Sequence, residues 1–142
     1  MKNLVLVLLL FSLFSCKKKK NENIVNHPVV SVPVQINMYP NDPLNFAIQG
    51  IGGWMYINGG HKGIIVYRKS NEEFVAIERT SSHLPDDDRA RVLVQSDNFT
   101  LRDTISGSEW RMFDGTVTKG PAQWSLRLYG TSYDGNLLRI RN

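Results

Sequence analysis

A strict alternation of apolar and other residues is the feature that most constrains the fold of this chain. Every second residue is apolar from Val30 to Met38, and the pattern ends at the turn-forming run Pro40-Asn41-Asp42-Pro43. Successive side chains of a β-strand point to opposite faces, so a period of two is typical of a strand with one buried face. Proline and asparagine then end the strand. The alternation predicts a strand over residues 30–38.

Short apolar segments bounded by turn residues continue along the rest of the chain. They lie at 54–57, 64–67, 74–77, 92–94, 110–113, 126–129 and 137–140. The run Asn58-Gly59-Gly60-His61 predicts a hairpin loop, and Asp114-Gly115 and Asp134-Gly135 predict tight turns. No segment has a helical period, and no internal repeat is visible. About eight strands at this spacing predict an all-β fold, a small β-sandwich or barrel of several antiparallel sheets.

The N-terminus has the pattern of a signal peptide. Met1-Lys2-Asn3 is charged, and residues 4–14 form an apolar run interrupted only by Ser12, which is too short to span a bilayer as a mature helix. The run ends in Leu13-Phe14-Ser15-Cys16, which resembles the bacterial lipobox. That resemblance implies that Cys16 accepts diacylglycerol and becomes the first mature residue.

Cys16 is the sole cysteine of the 142 residues, so it has no partner for an internal disulfide. Lipid attachment explains a lone exported thiol. Two alternatives stay open: a simple secretory signal with a coincidental cysteine, and an uncleaved hydrophobic anchor. Lys17 to Lys20 open a polar tether that suits contact with anionic headgroups. Because residue 17 is not aspartate, the familiar inner-membrane retention signal is absent. We expect a lipid-anchored protein of the cell envelope, facing the periplasm or the surface, with the outer membrane favoured.

Three regions are expected: a signal peptide at 1–15, a lipidated cysteine with its tether at 16–27, and one β domain at 28–142. The net charge of +4 comes from the N-terminal lysines, because residues 28–142 hold twelve basic and twelve acidic side chains. A domain this close to neutral lacks the basic face that nucleic acid requires. We therefore expect no nucleic-acid partner.

Residues 63–142 resemble the Rieske-type ferredoxin domain. The segments Ser106-Gly107-Ser108-Glu109-Trp110, Asp114-Gly115 and Lys119-Gly120-Pro121-Ala122 follow the family's order and spacing. The most specific pieces are Gly107-Ser108-x-Trp110 and Gly120-Pro121-Ala122. The family pattern has "Cys-x-His" in a first loop and "Cys-x-x-His-Gly-Ser-x-Phe" in a second. The resemblance implies an all-β Rieske-like fold and a [2Fe–2S] cluster held by two thiolates on one iron and two imidazoles on the other.

The four positions that the resemblance assigns to cluster ligands are Ser81, His83, Asp103 and Ser106, and only His83 keeps the family residue. Hydroxyl and carboxylate oxygens are hard ligands that suit an iron–sulfur cluster poorly. We expect that the domain keeps the fold and has lost the cluster, so that a [2Fe–2S] cofactor follows from family resemblance alone. No catalytic residue and no metal site is predicted.

Several other hypotheses for the function of these residues stay open. The four relic positions could hold Zn²⁺ weakly, Ser81 or Ser82 with His83 and an aspartate of 86–88 could form a hydrolytic site, and the aspartates could hold Ca²⁺. Trp54, Trp110 and Trp124 are expected in the core. The leading expectation is a non-enzymatic binding, scaffolding or accessory module with an unidentified protein or small-molecule partner. The alternative is a Rieske-type electron-transfer protein with an unorthodox ligand set, or a weak mononuclear metal site.

Overall fold

The computed structural model describes residues 26–142. The predicted signal peptide, Cys16 and the lysine tether at 17–20 lie outside the described residues. The described part consists of ten strands and one short 3₁₀-helix. In chain order these are β1 Gln35–Met38, the 3₁₀-helix Pro43–Ile48, β2 Trp54–Ile57, β3 Ile64–Arg68, β4 Phe74–Glu78, β5 Val92–Val94, β6 Thr100–Asp103, β7 Glu109–Arg111, β8 Val117–Lys119, β9 Leu128–Tyr133 and β10 Leu138–Arg141. The predicted all-β class is confirmed.

The strands form two antiparallel sheets. The larger has six strands in the order β1-β10-β9-β4-β3-β2, and the smaller has four in the order β5-β6-β7-β8. β2 and β3 pair through the predicted hairpin, with Trp54 opposite Tyr67 and Ile57 opposite Ile64. The smaller sheet is a meander inserted in the chain between β4 and β9. β4 and β9 pair with each other and so join the two halves of the larger sheet.

β3 and β4 lie between two apolar cores. Ile64 and Val66 of β3 face the first core, while Ile65 and Tyr67 face the second. The second core also contains Leu101 and Trp110 from the smaller sheet and Leu126, which precedes β9. A strand buried on both faces needs a continuous apolar sequence, which explains why 64–67 shows no alternation.

The strand predicted at 30–38 is only half present, because it begins at Gln35. Val30 is 72% exposed, and residues 30–34 have no strand partner among the described residues. The amide of Asn142 takes that place: its Oδ1 accepts from Val34 N at 2.8 Å, and its Nδ2 donates to Ser31 Oγ at 3.0 Å. β10 ends at Arg141, so the Asn142 side chain makes the hydrogen bonds to residues 31–34 that the backbone of a longer β10 would make.

Other boundaries also differ from the prediction. β7 ends at Arg111, and Met112 and Phe113 enter the Asp114-Gly115 turn. β9 begins at Leu128, because Leu126 packs in the core from a loop. β6 and β8 were not predicted, since Thr-Leu-Arg-Asp and Val-Thr-Lys carry one apolar residue each. Whether a segment forms a strand depends on the strand beside it, and β6 and β8 are stabilised by pairing with their neighbours.

No helix within residues 26–142 is long and apolar enough to cross a bilayer.

Glu78, the last residue of β4, is a fully buried carboxylate. It accepts hydrogen bonds from the Tyr129 hydroxyl at 2.6 Å, from His61 N at 2.8 Å and from Lys62 N at 2.9 Å. The backbone N–H and the hydroxyl of Thr80 donate to it at 3.0 and 2.8 Å. The Glu78 side chain thereby connects the β2–β3 loop to β4 and β9 through hydrogen bonds.

The surroundings of Glu78 favour its charged form. Burial alone would raise the pKa of this carboxyl, but the hydrogen bonds from Tyr129, His61, Lys62 and Thr80 outweigh it and lower the pKa below 4.5. Burial and the same carboxylate raise the pKa of the Tyr129 phenol. Both groups therefore keep the protonation states in which the phenol donates and the carboxylate accepts.

Candidate functional site

Three loops meet beside the smaller sheet, at 81–84, 103–108 and 120–124. Ser82 Oγ donates to the Trp124 carbonyl at 2.6 Å, and Ala122 N donates to Ser108 Oγ at 3.0 Å. These are the loops that carry the cluster motifs in the resemblance described above. Residues distant in sequence are therefore adjacent where the resemblance places them together.

A buried carboxylate lies at the centre of this meeting point. Asp103 Oδ2 accepts from Ser81 Oγ at 2.8 Å and from Ser106 Oγ at 2.7 Å, and Asp103 Oδ1 accepts from Ile105 N at 2.8 Å. Asp103 and Ser81 have no exposed surface, and Ser106 is half-buried. The Ser81–Asp103–Ser106 network cross-links the first loop to the second.

The second loop turns sharply at Gly107. Its φ of +76° lies in the left-handed region that favours glycine, and its N–H donates to the Asp103 carbonyl at 2.8 Å. This turn directs Ser106 Oγ toward both Asp103 and Ser108, which it reaches at 2.9 Å. Ser108 is fully buried and connects the network to the third loop. Sequence reasoning did not assign Ser108 a place at the site, although it lies within the motif that carried the resemblance.

His83 is set apart from the other three predicted positions. Its backbone N–H donates to Ser81 Oγ at 3.3 Å, but its ring is exposed and makes no hydrogen bond to any residue of 26–142. The ring lines a shallow depression of about 360 Å³ together with Ser82, Pro121 and Trp124. The structure thus brings Ser81, Asp103 and Ser106 together and leaves His83 on the rim.

The geometry does not assemble the hydrolytic arrangement considered from the sequence. Within residues 26–142, Ser81 Oγ donates to Asp103 and Ser82 Oγ donates to a carbonyl, so neither hydroxyl is paired with the His83 ring. Of the neighbouring aspartates, Asp87 binds Arg89 through both carboxylate oxygens. Hydrogen bonds from Arg89 lower the pKa of Asp87 to about 2.

The donor set of the site is poorly matched to metals. In the described part of the chain, no three His, Cys, Asp or Glu side chains are grouped to hold an ion. The positions that the resemblance gives to thiolates hold a hydroxyl and a carboxylate that are bonded to each other. Both irons of a Rieske centre need thiolate or imidazole donors. The residues present therefore do not fit a [2Fe–2S] cluster.

The tryptophans differ in their surroundings. Trp110 is fully buried and donates through Nε1 to the Trp124 carbonyl at 3.0 Å, and Trp54 packs against the same core. Trp124 is 36% exposed and stands with its ring 6.0 Å from that of His27. The expectation of a core position was therefore wrong for Trp124, whose loop is held at the surface by contacts of its backbone carbonyl.

The three-dimensional structure is similar to that of a known Rieske protein. It matches the crystal structure of the cyanobacterial plasma membrane Rieske protein PetC3 from Synechocystis PCC 6803 with a TM-score of 0.54 and 21% identity, over 80% of this chain and 100% of that one. The chain has the Rieske fold. A second match is a chain from the complex of reduced oxygenase and oxidized ferredoxin in carbazole 1,9a-dioxygenase, with a TM-score of 0.49 and 17% identity, over 82% of this chain and 94% of that one. The sequence matches no protein-family model and no curated protein.

The Rieske fold predicted from the loop motifs is confirmed. Its three site loops are held here by side chains of the protein itself, through Ser81, Asp103 and Ser108. The residues of those loops differ from the cluster-ligand pattern that the resemblance implies, although the fold is the same.

Asp103→Asn is expected to lower the free energy of unfolding by about 1 kcal/mol, close to the value of one hydrogen bond. The loss is small because the Ser81 and Ser106 hydroxyls can rotate and accept from the new amide. Urea denaturation followed by tryptophan fluorescence measures it. Asp97→Asn is the matched control at an exposed turn with similar hydrogen bonds to Phe99 and Thr100. If Asp103→Asn unfolded the domain, the idea that the Ser81 and Ser106 hydroxyls rotate to accept from the new amide would be wrong.

Proposed function

We propose that this protein is a membrane-anchored lipoprotein whose Rieske-fold domain holds no iron–sulfur cluster and acts as a non-enzymatic binding or accessory module. The observation that carries the proposal is the buried Ser81–Asp103–Ser106 network. Its oxygen atoms stand at positions where a [2Fe–2S] cluster would need sulfur or nitrogen donors. A Rieske fold whose loops lack the cluster ligands can still present a surface to a binding partner.

The chemistry of the network supports a structural role for the former ligand positions. Asp103 is fully buried, and its two oxygens receive three donors, two hydroxyls and one backbone N–H. A buried carboxylate requires such partners, because an unsatisfied one would cost several kcal/mol, of order 3. The network therefore supplies the connection between the loops that a shared cofactor would otherwise make.

The anchoring part of the proposal rests on the sequence. The apolar run 4–14, the lipobox-like Leu13-Phe14-Ser15-Cys16 and the polar tether follow one another in the order of a lipoprotein precursor. The similar Synechocystis protein is described as a plasma membrane protein, which agrees with a location in the envelope. The exposed depression at His83 and Trp124 is the surface that such a module would present to a partner.

The cofactor part is tested on the full chain, purified in a neutral detergent after expression with a functioning iron–sulfur assembly system. We expect a colourless, folded protein with no visible absorption band and no stoichiometric iron, sulfide or zinc. A brown protein with stoichiometric iron and sulfide would overturn the proposal in favour of a cluster with unorthodox ligands. Stoichiometric zinc would overturn it in favour of a mononuclear site.

The anchor is tested by Cys16→Ala. The substitution is expected to abolish labelling by a fatty-acid analogue and to release the domain from the membrane fraction. Ser15→Ala, which keeps a small residue before the cysteine, is the matched control and should be labelled as the parent protein is. Absence of label in the parent chain would exclude the lipoprotein assignment.

A further inference from the structure

A second concavity lies between the β2–β3 loop and the ends of β4 and β5. Its volume is about 300 Å³, and its walls include Tyr56, Gly60, His61, Arg79 and Arg91. It has no lining residue in common with the depression at His83. Two arginines and a glycine-rich loop thus border one cavity outside the site described above.

Arg79 is held in place as one wall of this cavity. The residue is only 9% exposed, its Nε donates to the Val92 carbonyl at 3.2 Å, and its guanidinium lies 3.7 Å from the centre of the Tyr56 ring. Stacking on an aromatic ring and one hydrogen bond fix the plane of the guanidinium. Its two terminal nitrogens make no hydrogen bond and no ion pair within residues 26–142.

Arg91 brings a second positive charge to the same cavity. It is exposed, it directly precedes β5, and its backbone forms a bridge with Thr80. It makes no ion pair with the described residues. Burial lowers the pKa of Arg79 and the charge of Arg91 lowers it further, while Tyr56 and the Glu78 carboxylate raise it. The Glu78 carboxylate nearby is buried and already accepts five hydrogen bonds.

The loop opposite the arginines packs tightly on the residues beneath it. Gly60 has a φ of +62°, and a Cβ at this position would lie 2.2 Å from Glu78 Oε2 and 2.4 Å from the Tyr129 hydroxyl. A side chain is therefore excluded here by the packing beneath the loop. Gly59 and Gly63 also have positive φ, so three of five consecutive residues present backbone alone.

We propose that this cavity binds a phosphate group, either free or within a phospholipid headgroup, with Arg79 and Arg91 donating to its oxygens. Two guanidinium groups from different segments can donate to one tetrahedral anion from two directions. A phosphate has oxygens and charge enough to accept from both guanidinium groups at once. Both guanidinium charges attract the anion, and the bound anion offsets their mutual repulsion.

The test follows the backbone amide signals of Gly59, Gly60 and Gly63 by NMR in the full chain, held in a neutral detergent. One titration uses inorganic phosphate and another uses glycerophosphoglycerol, the headgroup of an anionic phospholipid, with sodium chloride at matched ionic strength as the reference. We expect saturable shifts at these glycines with phosphate or the headgroup and none with chloride. The tighter ligand identifies the source of the phosphate.

Arg91→Gln tests the residue assignment, because Arg91 is exposed and its loss should leave the fold intact. We expect the dissociation constant to rise about tenfold or more, as for the loss of a charge-assisted hydrogen bond. Arg141→Gln removes an equal charge from an exposed strand end and should bind as the parent chain does. Equal weakening in both variants, or glycine shifts no larger than with chloride, would overturn the proposal. These results do not depend on whether the domain carries a cluster.

Discussion

Glu78→Gln is expected to lower the free energy of unfolding by about 3 kcal/mol, because it breaks a buried network around a charged acceptor. The carboxylate accepts five hydrogen bonds from four residues. An amide keeps one acceptor oxygen and turns its –NH₂ toward backbone N–H groups, which cannot rotate away. At least one buried donor then loses its partner. Urea denaturation at neutral pH measures the effect as a lower midpoint with an unchanged slope.

Two controls separate this effect from a general loss of charge. Glu73→Gln removes an exposed carboxylate that pairs with Lys69 and should change stability by less than about 0.5 kcal/mol. Tyr129→Phe removes a single donor to Glu78 and should cost about 1 to 2 kcal/mol. A Glu78→Gln loss as small as that of Glu73→Gln would show that the buried network contributes little.

The same variant should alter the response to acid. The folded state lowers the pKa of Glu78 below 4.5, so its contribution is complete above that pH and is lost as the pH falls through the folded-state value. The stability difference between the parent chain and Glu78→Gln should therefore narrow below pH 4.5. A difference that stays constant down to the acid unfolding transition would contradict the origin assigned to it.

The triple variant Ser81→Cys, Asp103→Cys and Ser106→His is expected to bind a [2Fe–2S] cluster. Together with His83 it has the two thiolates and two imidazoles of a Rieske centre. The first three positions already converge, since both serine hydroxyls lie within 2.8 Å of Asp103 Oδ2. His83 lies at the rim on the same loop as Ser81. The variant also removes the three side chains that now join the loops, so the cluster would restore that link.

The expected result is a brown protein with visible absorption and about two irons and two sulfides per chain, as the cluster formula requires. Adding His83→Ala to the triple variant is the matched control, and it should bind much less iron. A folded but colourless triple variant would show that the loops do not have the spacing that the resemblance implies. That result would weaken the proposal that a cluster site was lost here, while leaving the Rieske fold unaffected.

The strands with strong apolar patterns were predictable from the sequence, and those that depend on a neighbour were not. The segments 54–57 and 64–67 and the loop between them are present as predicted. β6 and β8 gave no signal, because one apolar residue in three or four does not define a period. The loss of residues 30–34 from β1 has its cause in Asn142, more than a hundred residues away, which no local pattern reveals.

The candidate site shows the same limit. The spacing of the loop motifs was enough to predict that Ser81, Asp103 and Ser106 lie together, but not that their side chains would bond to one another. His83 has the residue type that the Rieske pattern requires and yet lies outside the network. Glu78 gave only a weak sequence signal, a single acid at the end of the apolar run 74–77. The approach of Arg79 to Arg91 depends on the bridge at Thr80, which the sequence does not mark.

β3 and β4 contribute side chains to both apolar cores. Neither core can open without withdrawing those two strands from the other, so the two sheets should form one cooperative unit. The loop around Gly60 leads into β3, and the loop whose Ser81 donates to Asp103 follows β4. Substitutions in the loops can then change the surface chemistry while the central strands keep the domain folded.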